Sequence, residues 1–260
     1  ILSGTVTLSL MVILVFYGAD LVWRDRELRY QEILGSTPTP SWAFVTAKMI
    51  AALMVVLIFL IETGIVAMLF QLFSGYRNFE VGVYVVNYLY DYGGLFYLAI
   101  VLSVIVQIIS PNKYVGMLIM VLYIMALMAL SNAGFEDPLY LYGATSSTPY
   151  SDMNGYDRLL GNAAWYNLYW LSFAVVLAVL GYAMWSRGPL EKLRVRARNM
   201  GANLSRPAVA IASVAGVSFL VLLAWIYYNS HVLVEYRTND DLRAYAADYE
   251  KKYVHLRDIP

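Results

Sequence analysis

The chain has 260 residues, of which 60% are apolar and only 14% charged, and its mean hydropathy is +0.59. That balance is too oily for an ordinary soluble domain, so the bilayer is the expected solvent. Its 18 basic and 18 acidic residues cancel, which leaves no global attraction to nucleic acid, and the lack of cysteine excludes disulfides, thiolate nucleophiles and cysteine-based zinc sites.

Apolar stretches recur at 1–23, 42–73, 92–110, 114–131, 163–185 and 207–228. Because about 20 apolar residues in a helix cross roughly 30 Å of hydrocarbon, they predict an all-α, polytopic membrane domain with six transmembrane helices. The first stretch opens at Ile1 without a starter Met or a basic region, which fits a segment of a longer polypeptide better than a signal peptide. After it comes RDRELRYQEILGSTPTPS, residues 24–41. Leu28, Tyr30, Ile33 and Leu34 approximate one apolar side at helical spacing, and Asp25 and Arg29 stand four apart, so a short interfacial or partner-binding helix is expected. Gly35 is the expected left-handed end of that helix, and Thr39-Pro40 the expected N-cap and first residue of the next.

Glu62 is the conspicuous charge inside a span. It follows Lys48 by 14 residues, about 21 Å of helix rise. A carboxylate facing hydrocarbon is costly, so Glu62 is expected to turn toward other helices, as a neutral structural group or as part of a translocation or gating path. Asp20 and Gln107 are weaker candidates, since each can reach an interface. Residues 75–94 mix Arg77, Glu80 and Asp91 with Phe79, Tyr84, Tyr88, Tyr90 and Tyr92, a pattern suited to an interfacial helix or a partial re-entrant hairpin. Ser110-Pro111-Asn112-Lys113 reads as a tight turn between antiparallel helices. Residues 132–162 are broken by Gly134, Pro138, Gly143, Pro149, Gly155 and Gly161, and their aromatics suggest an ordered cap; Asp152 and Asn154 are its candidates for an outward gate. The methionines inside the spans are expected to fill packing gaps. The basic run from Arg194 to Arg198 suits contact with anionic membrane lipids. Beyond the last span, Asp240 is the expected cap of a helix carrying Leu242, Tyr245, Ala246, Tyr249 and Tyr253, read as an aqueous connector.

Basic residues set the expected orientation. Arg24, Arg26, Arg29, Lys48, Lys113, Arg187, Lys192, Arg194, Arg196, Arg198 and Arg206 fall in the connections after the first, third and fifth spans, whereas the others hold only Arg77 and Arg158. Lys and Arg accumulate on the cytoplasmic side, so both ends of the chain are expected outside. Trp23, Trp42, Trp165, Trp170, Trp185 and Trp225, with Tyr227 and Tyr228, lie close to span ends, as amphipathic rings at headgroup level do.

The run GADLVWRDRELRYQEILGSTPTPSWAFVTAKMI, residues 18–50, resembles the permease of type-2 ABC transporters. The compact pair of spans around Asn112 and Lys113, and the loop Tyr150-Ser151-Asp152-Met153-Asn154-Gly155, are similar to a subgroup whose permease region precedes an external zinc aminopeptidase of the gluzincin type. The resemblance implies a cytoplasmic coupling helix, with Arg24, Asp25, Arg26, Glu27, Glu32, Thr37 and Pro38 meeting a separate ATP-binding subunit. It further implies a second permease copy or half, ATP-Mg on the partner, zinc in a downstream domain, and a bacterial cytoplasmic membrane. Residues 1–206 would be five permease spans, 207–228 an additional transmembrane helix, and 229–260 an extracytoplasmic linker; the family's opening interfacial helix and first span have no counterpart before Ile1. A membrane scaffold for the peptidase, without transport, is the alternative. The chain has only His231 and His255, and it lacks HExxH, G-x-G-x-x-G and a phosphate loop, so no catalytic or metal residue of its own is expected.

Overall fold

The computed structural model describes residues 2–75, 77, 79–146, 150, 151, 153, 155, 156, 159–186, 191–234 and 238–254. Helix α1 runs Leu2–Glu27, past the expected boundary at residue 23, so that Arg24, Asp25, Arg26 and Glu27 form its last turn and not a separate helix. The chain reverses at Leu28 and Arg29, where Arg29 takes a left-handed φ of 56°, into the six-residue α2, Tyr30–Gly35. The left-handed residue therefore precedes α2, while Gly35 is its last helical residue. Helix α3 spans Ser41–Phe73 with Pro40 as an extended N-cap, one position later than the Thr39-Pro40 reading requires.

The segment expected as an interfacial helix or hairpin is helical and continuous with the next span. A short α4, Val81–Tyr84, passes through a π-helical run, Val85–Asp91, into α5, Tyr92–Ile109. Asp91 keeps right-handed helical angles at the junction, so the helix is not interrupted. After the predicted turn, α6 spans Lys113–Asn132; the Asn112 carboxamide oxygen accepts from the Val115 N–H at 2.8 Å and caps it. Helix α7 spans Leu159–Ala183. The basic run is itself a helix, α8, Leu193–Asn203. Helix α9, Arg206–Tyr227, starts at a Ser205 cap and extends as a π-helical run, Tyr228–Val232. In α10, Asn239–Tyr253, Thr238 is the cap and Asp241 closes the capping box, displacing the expected cap at Asp240.

Among the described residues, five helical runs are long and apolar enough to cross a membrane: Ser41–Phe73, Val81–Ile109, Lys113–Leu130, Leu160–Ala183 and Arg206–Val232. The protein is an all-α, multi-pass membrane domain. Helix α5 is its centre: most of its span is buried inside the bundle, whereas α6 is largely exposed. Phe96, Ile100, Val104 and Ile108 recur every four residues and pack with Leu10, Leu14 and Val22 of α1 and Val56 and Leu60 of α3. A second core joins Leu98 of α5 to Tyr169, Trp170 and Ala174 of α7, Leu222 and Ile226 of α9, and Leu139 and Tyr142 of the 132–162 connection. A helix apolar on several faces belongs inside a bundle. Close approach depends on small residues: a Cβ on Gly18 would collide with Ser103 of α5, whose hydroxyl donates to the Leu14 carbonyl at 2.5 Å.

Candidate functional site: a polar collar around the α1–α2 elbow

One end of the bundle, where α1, α5 and α7 finish and α3 and α6 begin, is closed by a collar of charged and amide side chains. Lys48 of α3 donates to the Leu21 carbonyl and to Asp25 Oδ2, both at 2.6 Å. Lys113, the first residue of α6, lies 3.0 Å from Asp20 and 3.4 Å from Glu27. These contacts tie the last turns of α1 to two other helices. Arg26 points across the elbow: its Nε donates to Gln31 Oε1 at 2.8 Å, and Gln31 Nε2 donates to the Ser186 carbonyl after α7 at 2.6 Å. The Arg26 guanidinium also sits 4.7 Å from the Trp23 ring centre and 5.6 Å from that of Trp185. Its two Nη atoms are buried without a hydrogen-bond partner, so the indole faces stand where water would be. Burial, then the neighbouring Arg196 cation, lowers the Arg26 pKa to about 10 against the opposing pull of Asp25, and the group stays charged near neutrality.

Arg196 of α8 is 2% exposed and donates to the Ile108 and Ile109 carbonyls at 2.5 and 2.8 Å. The last carbonyls of a helix have no partner within it, so Arg196 caps α5. This corrects the lipid-contact reading for Arg196, although Arg194 and Arg198 are exposed. Burial lowers the Arg196 pKa, while Glu191 acts the other way. Gln107, fully buried, accepts from Trp23 Nε1 at 2.9 Å.

The predicted coupling residues divide between inside and outside. Asp25 and Arg26 face the collar, and Asp25 pairs with Lys48 in place of the expected Arg29. Glu27 reaches Lys113 while staying about half exposed, and Thr37 is half-buried. Arg24, Glu32 and Pro38 face outward, together with Leu28, Tyr30 and Ile33, which are 69%, 50% and 63% exposed. The elbow therefore offers an apolar patch with flanking charges on a support held from behind. Sequence reasoning missed Gln31, Trp185, Ser186 and Arg196 as parts of this support. A polar Gln107 inside the run SVIVQII was the one local signal of a buried network.

Among the described residues Glu62 is exposed, on a side of α3 that no other described helix covers, so within this chain it does not turn inward as expected. The buried stripe of α3 runs through Val56, Leu60, Thr63, Gly64 and Ala67, and Glu62, two residues past Leu60, is rotated about 200° from it. Asp152 and Asn154 lie outside the described residues. Around them Ser151 and Gly155 exchange backbone hydrogen bonds at 3.0 and 2.7 Å, and Tyr150 donates to Glu80 at 3.0 Å.

The opposite end carries the expected ordered cap. Trp170 Nε1 donates to the Pro138 and Ala144 carbonyls at 3.2 and 3.1 Å, and the Tyr142 hydroxyl donates to the Leu98 carbonyl at 3.1 Å. Asp137, 4% exposed, meets His231 Nε2 at 3.1 Å and binds the cap to the extension of α9. Ser230 Oγ lies 2.8 Å from His231 Nδ1, but it is also 2.8 Å from the Ile226 carbonyl, which can use a hydroxyl only as donor; Ser230 is not arranged as an activated nucleophile.

Between α3, α5 and α7 lies an apolar cleft of about 490 Å³, lined by Ile50, Met54, Leu57, Tyr97, Val101 and Leu171. Among the described residues no three His, Cys, Asp or Glu side chains converge as metal ligands. Compared with known proteins, the chain matches no family model, no curated protein and no solved structure.

Proposed function

We propose that this chain is the membrane-spanning permease portion of an ATP-driven transporter of the type-2 ABC kind, acting with a separate ATP-binding subunit and a second permease copy or half. Six helices cross in this reading: α1, α3, the run from α4 through α5, α6, α7 and α9. The collar end is cytoplasmic, in keeping with its share of the basic residues.

The observation that carries the proposal is the α1–α2 elbow. A coupling element must be exposed to its partner and stiff toward the helices it moves. Leu28, Tyr30, Ile33, Arg24 and Glu32 supply the exposed side. Stiffness comes from Lys48–Asp25, Lys113–Glu27 and the chain Arg26–Gln31–Ser186, which link the elbow to α3, α6 and the end of α7. ATP and Mg belong to the partner, because the chain has no phosphate loop.

The test reverses two exposed charges, puts a charge on the apolar patch, and leaves the buried Arg26 alone. Arg24→Glu, Glu32→Lys and Ile33→Asp, each in the full-length complex, are expected to insert normally, yet to lose co-purification with the ATP-binding subunit or its stimulated ATP turnover. Normal insertion with unchanged binding and turnover across the series would reject the coupling element and favour the alternative, a membrane scaffold for an external zinc aminopeptidase.

A further inference from the structure

Helix α10 has two unlike sides. Leu242, Tyr245, Ala246, Tyr249 and Tyr253 fall within a sector of roughly 100° at helical spacing. Leu242, Tyr245, Tyr249 and Tyr253 are 50%, 63%, 57% and 39% exposed, and the rings of Tyr249 and Tyr253 are 4.6 Å apart. Asp248 and Lys251, a pair at 3.9 Å, lie on the other side. Three tyrosines in one stripe are a surface with an apolar body and a polar rim, the combination favoured at headgroup level and poorly suited to bulk water.

The position of α10 along the chain supplies the partner. The run that carries α9 ends at Val232, and α10 begins at Asn239, with six residues between them. Even fully extended, that connection reaches about 25 Å. The end of α9 is already marked as a boundary layer by Trp225, whose ring centre lies 6.1 Å from that of Trp165 at a tilt of 53°, and by the exposed Tyr227 and Tyr228. The His231–Asp137 contact fixes where this end leaves the bundle.

We propose that α10 is an interfacial helix that lies on the bilayer at the cap end, its tyrosine stripe seated among headgroups and its charged side toward water. The occupant is a zwitterionic lipid surface. Across 239–254 the acidic residues Asp240, Asp241, Asp248 and Glu250 outnumber the basic Arg243, Lys251 and Lys252, four to three, so anionic lipid gains nothing from it. The aqueous-connector reading gives way to a surface anchor that holds the following chain close to the membrane. This inference does not depend on ATP-driven transport.

The absence of native cysteine makes the test direct. In the full chain reconstituted into phosphatidylcholine vesicles, spin labels at Leu242→Cys and Ala246→Cys are compared with labels at Ala244→Cys and Lys251→Cys. The stripe labels are expected to favour collision with oxygen over a water-soluble nickel reagent, by a ratio on the order of tenfold above the other side, and to do so equally at low and high salt. Tyr245→Ser with Tyr249→Ser and Tyr253→Ser should abolish the contrast, while the corresponding Phe replacements keep it. Equal nickel access on both sides would overturn the proposal. So would exclusion of both reagents from the stripe, the mark of burial against protein, including a second copy of the chain.

Discussion

Arg26 is a cation kept under a membrane helix by contacts of comparable size and opposite sign. The lowering of its pKa to about 10 amounts to roughly 3 kcal/mol against the charged form. Two indole faces each return about 0.5–2 kcal/mol, and the bond to Gln31 adds about 1–2 kcal/mol. Against that cost the contacts leave a net between about −1 and +3 kcal/mol, so Arg26→Gln is expected to lower stability at pH 7 by no more than about 3 kcal/mol in detergent unfolding. The pH dependence is more distinctive. A basic group with a lowered folded pKa is protonated in both states below about pH 9 and adds no slope there; above about pH 10 the unfolded chain binds more protons, so stability rises with pH from there and Arg26→Gln removes the rise. Glu62 tests the opposite situation, a charge that no other described helix of the chain covers. Glu62→Leu is expected to leave the stability of the isolated chain unchanged or higher, because no internal contact is lost, and any loss of assembly with another subunit would then report on that face. Glu62 was visible in the sequence as a charge inside a span and Arg26 as a charge in the connection after the first, but their environments were not. Which of Arg194, Arg196 and Arg198 points inward depends on where α8 docks, and an alternation of Arg with small apolar residues carries no helical period to reveal it.

The elbow between α1 and α2 depends on a single backbone conformation. Arg29 has a φ of 56°, costly for a residue with a Cβ and worse for a β-branched one. Arg29→Gly is therefore expected to fold as well as the parent, and Arg29→Val to lose about 1–2 kcal/mol in the same unfolding assay, with α2 displaced first. The presence of a short helix here was legible from Leu28, Tyr30 and Ile33. Its start was not, because Arg24–Glu27 have good helix propensity and α1 continues through them until its carboxylates meet Lys48 and Lys113. A similar continuation explains the third span, where the polar Asp91 and its neighbours suggested an interfacial helix or a partial re-entrant hairpin. Gly93 packs against Leu60 of α3 and Gly94 against Asn167 of α7, so these residues allow neighbouring helices to approach and do not end the helix.

The alternation of charge along the chain makes a claim about the entire bundle. Single cysteines at Glu32 and Arg198 should react only from the cytoplasmic side, and cysteines at Phe79, Tyr150 and Lys251 only from the other; labelling of Arg198 from outside would reverse the orientation. The central position of α5 has a further consequence, in time. Helix α1 leaves the ribosome long before its main partner: 82 residues, from Leu28 to Ile109, separate its end from the end of α5. At about 5–20 residues per second that is roughly 4–16 s. During that interval Gly18 has no Ser103 beside it and Asp20 has no Lys113, so a half-made chain presents a polar, loosely packed pair of helices to the insertion machinery and to membrane proteases. Chains truncated after residue 75 are expected to be degraded within minutes in a pulse-chase experiment, whereas chains extended through Asn132 persist. The centre of the bundle is thus also the checkpoint of its synthesis, and lesions in α5 should be recognised by quality control as missing helices.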